Sequence, residues 1–91
     1  MKEKDHFNLE GITGDFSGFL SDYRVKNNLT LLELGDRIGV STSFVFRLIN
    51  GERKISMEFI LKTLWRLNAP DEVIQEVLFS LLKKTDSIIE E

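Results

Sequence analysis

The chain has 91 residues, of which 42% are hydrophobic, and this length suits one domain with a single core and little room for a catalytic cleft. It contains no cysteine, and its one histidine, His6, lies in a polar N-terminal stretch, which excludes a disulfide framework and disfavours a metal site or a histidine-based catalytic pair. The net charge is −3. No run approaches the roughly 18–20 apolar residues that span a bilayer, so we expect a cytoplasmic protein without a membrane segment. We expect no metal and no cofactor.

The N-terminal residues predict a flexible arm that precedes the first helix. Residues 1–14 are polar and contain Gly11 and Gly14, which disfavour a helix. The first helix is expected from about 16 to 27, with Asp15 as its N-cap and an apolar face of aromatic and leucine side chains.

Capping signals delimit the next two helices. Thr30 is expected to cap the second helix, and Glu33 three residues later completes a capping box. Ser41 is expected to cap the third helix, and the Asn50-Gly51 pair ends it.

Two further helices complete the chain. Ser56 is expected to cap the fourth helix, and the Asn-Ala-Pro sequence at 68–70 ends it. The fifth helix is expected over about 71–88. Because no strand pattern, internal repeat or linker interrupts the helices, residues 15–91 are predicted to form one all-α domain.

Residues 31–50, LLELGDRIGVSTSFVFRLIN, have the pattern of a helix–turn–helix. Gly35 lies where the first helix must let the second come close, and Gly39 lies where the chain must turn sharply. Four apolar side chains are expected to be buried: Ile38, Val40, Val45 and Leu48. The outward face of the second helix then consists of Thr42, Ser43, Phe46 and Arg47. A helix presented in this way fits the major groove of B-DNA.

The positive charge is concentrated in the same part of the chain. Formal charges balance to −3 over residues 1–23, +3 over 24–54 and −3 over 55–91. Because the local field rather than the total charge governs contact with phosphates, an acidic chain can still bind DNA through this segment. The alternative is a chance excess of solvated charges.

Two longer stretches, NLTLLELGDRIGVS and FVFRLINGERK, extend the motif, together with Arg24 in the first helix. They match, without insertion, the patterns G-L-[ST]-x-x-x-L-A-x-x-x-G-[VI]-S and [YT]-[IV]-x-x-[IWL]-E-N-G-x-[RK] of the Cro/C1-type (XRE, lambda-repressor-like) helix–turn–helix family. Residues 20–68 therefore resemble that family. The resemblance implies a compact five-helix DNA-binding domain whose second and third helices form the helix–turn–helix.

The resemblance also implies roles for individual residues. Base edges are read by Thr42, Ser43, Phe46 and Arg47. Phosphates are bound by Thr30, Asn50, Arg53 and Lys54, and by Arg24 unless that residue finds another partner. An arginine can donate two hydrogen bonds to guanine, whereas basic loop residues neutralise phosphates without reading the sequence. The alternative is that these residues are ordinary solvated or helix-capping side chains.

Three features depart from the family pattern. Leu31 replaces a glutamine that commonly hydrogen-bonds DNA, and Ile49 replaces the glutamate that usually pairs with the arginine at Arg24. Phe44 and Phe46 are unusually apolar for the start of a recognition helix. They could pack against thymine methyl groups, or Phe44 could lie toward the core or against a partner protein.

The last helix carries more apolar residues than one core-facing stripe needs. We expect a homodimer formed through this helix, with contacts from Ile74, Val77, Leu78 and Leu81 and with help from Trp65. The alternative is that these residues all close the core of a single chain, and for Trp65 a core position is expected rather than a ligand platform.

The residues and the resemblance together predict a small dimeric transcription regulator that binds a (pseudo)palindromic operator in double-stranded DNA. They do not decide whether it represses or activates transcription. The alternative is a protein–protein interaction module, antitoxin-like or adaptor, that keeps the fold without binding DNA and uses Phe44 and Phe46 as its contact surface. Since neither paired acids nor a Gly-rich phosphate loop occurs at a useful spacing, no enzymatic activity is expected.

Overall fold

The computed structural model describes residues 7–89, with side chains described up to residue 84, and this part of the chain contains six α-helices and no strand. In chain order they are α1 (Leu9–Gly14), α2 (Phe16–Lys26), α3 (Leu31–Ile38), α4 (Thr42–Ile49), α5 (Met57–Arg66) and α6 (Asp71–Ile89). The all-α prediction is confirmed, and the predicted second and third helices are α3 and α4. The additional helix is α1.

Capping interactions set where four of the helices begin. The residues whose side chains accept a first-turn N–H are those predicted from the sequence: Asp15, Thr30, Ser41 and Ser56. At α3 the capping box is complete, because Thr30 Oγ1 accepts from the N–H of Glu33 at 3.0 Å and Glu33 Oε1 accepts from the N–H of Thr30 at 2.9 Å. These bonds satisfy donors that the start of a helix otherwise leaves unpaired.

The prediction of a loose arm is wrong for residues 7–14. Asn8 Oδ1 accepts a hydrogen bond at 3.0 Å from a first-turn N–H group and so caps α1. Phe7 is 7% exposed and Ile12 is 1% exposed. The two glycines of α1 suggested a loop, but an N-cap and two buried apolar side chains outweigh their low helix propensity. Residues 1–6 of the predicted arm lie outside the described residues.

Helix α1 also covers part of α6. The two helices are in contact, and Lys84 Nζ donates a hydrogen bond to the carbonyl oxygen of Thr13 at 2.9 Å. Val73 and Val77 of α6 are buried, at 5% and 0% exposed. The prediction that Val77 contacts a second copy is therefore wrong, because a side chain with no surface in the single chain has none to offer a partner.

A common core anchors the helix–turn–helix to the rest of the domain. Leu34 of α3 and Val45 and Leu48 of α4 are at most 1% exposed. They lie in one apolar cluster with Leu20 of α2 and Leu64 of α5. Because protein interiors are densely packed, these contacts hold α4 in one orientation relative to the domain.

Metal-binding clusters and membrane-spanning helices are both absent from the described residues. Within them, no three His, Cys, Asp or Glu side chains are grouped so that they could hold a metal ion. None of the helices between residues 7 and 89 has the length and apolar character needed to cross a membrane.

Candidate nucleic-acid interface

Two glycines set the geometry between α3 and α4, as the sequence predicts. Gly39 has a φ of +80°, a left-handed conformation that side chains disfavour, and its N–H donates to the carbonyl oxygen of Gly35 at 2.7 Å. At Gly35, an added Cβ atom would lie 2.7 Å from the carbonyl oxygen of Val40. The two helices are therefore brought together through bare backbone.

The four side chains predicted to read bases lie on the solvent-exposed side of α4. Val45 and Leu48 of the same helix are 0% and 1% exposed, so α4 cannot rotate without exposing the core. The four predicted residues are all exposed: Thr42, Ser43, Phe46 and Arg47. The Ser43 hydroxyl lies 3.4 Å from the hydroxyl of Ser41, the N-cap of the helix. The structure thus presents these side chains together on one outward face.

Phe44 lies apart from this face. Its ring is half-buried and packs against Phe59 of α5, with the two ring centroids 6.0 Å apart. The guanidinium carbon of Arg53 lies 4.7 Å from the centroid of the Phe44 ring, within cation–π range. Of the alternatives left open for Phe44, the structure shows contact with the core. The same ring also connects the loop after α4 to the helix itself.

The loop after α4 carries exposed basic side chains. Asn50, Arg53 and Lys54 are all exposed. The N–H of Glu52 donates to the carbonyl oxygen of Arg47 at 2.9 Å, which folds the loop back onto the end of α4. Among the residues that the structure describes, no carboxylate lies within ion-pair distance of Arg47, Arg53 or Lys54. Their charges are therefore available to an anionic partner.

Arg24 has a partner within the chain. Its Nη1 donates to the carbonyl oxygen of Leu29 at 3.0 Å, which links α2 to the segment before α3. Its Nε is buried without a hydrogen-bond partner among the described residues. Ile49, which replaces the expected glutamate, packs against the core instead. A backbone carbonyl thus takes the place of the missing carboxylate, and contact of Arg24 with a phosphate stays a prediction.

The start of α3 is exposed at Thr30 and partly covered at Leu31. Leu31 is half-buried and packs against the core, so its replacement of a glutamine adds an apolar contact. The hydroxyl oxygen of Thr30 accepts from the N–H of Glu33, which leaves the hydroxyl hydrogen free to donate.

Apolar side chains are also exposed on α5 and α6. Trp65 is 69% exposed, so the expectation that it belongs to the single-chain core is wrong. Three of the predicted dimer contacts are half-buried: Ile74, Leu78 and Leu81. Phe79 and Leu82 were not among the predicted dimer contacts, although they are 61% and 41% exposed. Their spacing of three residues, outside the buried stripe of α6, was the available signal.

Comparison with known proteins identifies the segment that contains the exposed face of α4. A family model described as helix-turn-helix matches residues 20–63, which run from α2 to α5 and include both glycines of the turn. No curated protein and no solved structure gives a significant match to the chain. The matched family is the Cro/C1-type, or XRE, family, and the all-helical structure is consistent with its lambda-repressor-like fold. Residues 20–63 are therefore similar to the Cro/C1-type helix–turn–helix family, a family of DNA-binding regulatory domains.

Proposed function

We propose that the chain is a cytoplasmic transcription regulator that binds a (pseudo)palindromic operator in double-stranded DNA as a homodimer. The observation that carries the proposal is the outward face of α4, whose four exposed side chains include no acid and are held on a helix that is otherwise packed into the core. A helix of this kind enters the major groove, where each base pair presents its own pattern of hydrogen-bonding groups.

Within α4 the proposal gives each exposed side chain a chemical role. Arg47 donates two hydrogen bonds to the O6 and N7 atoms of a guanine, which is the most selective contact available to this helix. The hydroxyl groups of Thr42 and Ser43 make less selective hydrogen bonds to neighbouring base edges. Phe46 makes apolar contact within the groove.

Phosphate contacts position α4 without reading the sequence. Asn50, Arg53 and Lys54 lie in the loop that follows α4, and the two basic side chains have no carboxylate partner among the described residues. Thr30 lies at the N-terminus of α3, where the helix dipole and a free hydroxyl hydrogen favour an anion. Arg24 contacts a phosphate only if its Nη2 reaches the DNA backbone while its Nη1 keeps the hydrogen bond to the carbonyl oxygen of Leu29.

The homodimer is supported by apolar side chains that the single chain leaves at its surface. Trp65 is exposed, and Ile74, Leu78 and Leu81 are half-buried on α6, with Phe79 and Leu82 beside them on the same helix. A twofold dimer would read two half-sites about one turn of DNA apart, roughly 34 Å. Sedimentation should show self-association at micromolar concentration that Phe79→Glu weakens. A wild-type chain that stays monomeric under these conditions contradicts the dimer.

Selection of duplexes from a random DNA pool tests the proposal directly. We expect an enriched site, with a palindrome if the dimer is correct. On that site Arg47→Ala should weaken binding by about 1–3 kcal/mol for each half-site and relax the preference at one base pair in each half-site. Arg53→Ala combined with Lys54→Ala should weaken binding to all sequences and reduce the salt slope by about one to two for each protomer, or about two to four for the dimer. Lys62→Ala removes an exposed cation of α5, ion-paired with Glu58 and outside the proposed interface, and should change neither quantity.

A protein–protein interaction module is the second candidate, because two large apolar side chains are exposed on the helix–turn–helix itself. Leu32 is 60% exposed and Phe46 is 52% exposed. If no duplex is enriched and neither the Arg47 variant nor the double loop variant changes binding to DNA, this candidate replaces the first.

A further inference from the structure

Phe46 differs from every other apolar side chain of α4. Phe44, Val45, Leu48 and Ile49 all lie in the apolar core or pack against it, whereas Phe46 is 52% exposed and outside that cluster. An isolated exposed phenylalanine needs no explanation on most surfaces. This one lies on the face that is proposed to meet DNA, so its contacts there decide which bases are tolerated.

The surroundings of Phe46 on the helix are polar. Residues three and four positions away are its neighbours on the helix surface. Three of them, Thr42, Ser43 and Asn50, are exposed and polar, and the fourth, Ile49, packs against the core. The next residue is the cation Arg47. The ring is therefore a small apolar spot within a polar and basic face, which suits a nucleic-acid groove better than an extended apolar interface.

The chemistry of the major groove leaves one good partner for such a ring. Base edges there carry hydrogen-bonding groups and a single apolar group, the C5-methyl of thymine. Covering an amino, carbonyl or N7 group with a phenyl ring would bury a polar atom without a partner, which is unfavourable. Contact with a C5-methyl group instead removes apolar surface of both partners from water.

We propose that Phe46 reads the C5-methyl group of a pyrimidine, so that binding by this chain depends on that methyl. The inference rests on the proposed function and specifies the ligand of the same site. Thymine carries the methyl, and so does 5-methylcytosine, whereas uracil and unmodified cytosine do not. The chain would therefore respond to cytosine methylation wherever a cytosine replaces the contacted thymine.

Two pairs of bases that differ only by the C5-methyl group test the proposal: thymine against uracil, and 5-methylcytosine against cytosine. In the enriched duplex each thymine is replaced in turn by uracil, and at the most sensitive position the pair is also changed to C·G and to 5-methylC·G. We expect a loss of about fourfold in affinity for uracil against thymine at one position in each half-site, the value of one buried methyl. At the same position, the duplex with 5-methylcytosine should bind about fourfold more tightly than the duplex with cytosine. Comparing the thymine duplex with the 5-methylcytosine duplex shows which of the two methylated bases the chain prefers.

Protein variants assign the effect to Phe46. Phe46→Ala should bind the thymine and uracil duplexes equally, whereas Phe46→Leu should keep part of the difference because its side chain is still apolar. Val25→Ala removes a similarly exposed apolar side chain, 62% exposed on α2, and should keep the full difference. Circular dichroism should show each variant folded, since none of the substituted side chains is buried.

The outcomes separate this inference from the proposed function. If wild type binds DNA and gives the same affinity for thymine and uracil at every position, or if Phe46→Ala keeps the methyl dependence, the reading of the methyl by Phe46 is wrong while DNA binding stands. If the wild-type chain binds no duplex at all, both proposals fall.

Discussion

Replacing Ile12 with alanine tests whether α1 is part of the folded domain. The side chain is 1% exposed, and the substitution removes three carbon atoms from the core. At about 0.8 kcal/mol for each buried CH₂, the transfer term alone is about 2.4 kcal/mol, and incomplete collapse of the cavity adds to it. We therefore expect the free energy of unfolding to fall by about 3 kcal/mol. That is a large fraction of the 5–15 kcal/mol typical of a small domain.

Urea unfolding followed by circular dichroism measures this loss as a lower midpoint with an unchanged slope. Thermal unfolding should show a midpoint lower by at least about 12 °C, given the 4–8 °C per kcal/mol expected for a domain of this size. Leu32→Ala is the matched control, because it also removes three carbon atoms but from a side chain that is 60% exposed. If the two variants lose the same small amount of stability, α1 does not pack as described.

Three further predictions concern the helix–turn–helix and its loop. Thr30→Ala removes half of the capping box with Glu33 and should lower the free energy of unfolding by about 1 kcal/mol in urea titrations, whereas Thr30→Ser should restore most of it. Gly39→Ala forces a side chain into a φ of +80° and should lower it by about 1 kcal/mol or more, which an unchanged melting temperature would contradict. In a double-mutant cycle of Phe44→Leu with Arg53→Ala, the cation–π contact at 4.7 Å should appear as a coupling of about 0.5–1 kcal/mol in unfolding; additive effects would mean that the contact contributes nothing.

The placement of α4 and its turn could be predicted because each depends on interactions between residues close in sequence. The capping box at Thr30, the Ser41 cap and the left-handed Gly39 all involve partners within a few positions. Helical periodicity then determined which side of α4 holds Val45 and Leu48 and which side holds Arg47. The positive balance over residues 24–54 was likewise a property of the sequence alone.

What covers each apolar face was decided only by the tertiary structure. Periodicity showed that α6 has more than one apolar stripe, but not that α1 would pack against this helix, that Val77 would be fully buried in the single chain or that Trp65 would be exposed. In the same way, Phe44 and Phe46 look alike in the sequence. The ring of Phe44 packs against Phe59 and Arg53, whereas Phe46 lies outside the core cluster. The reason is physical: a side chain's direction follows from its own helix, whereas its burial depends on partners that are distant along the chain.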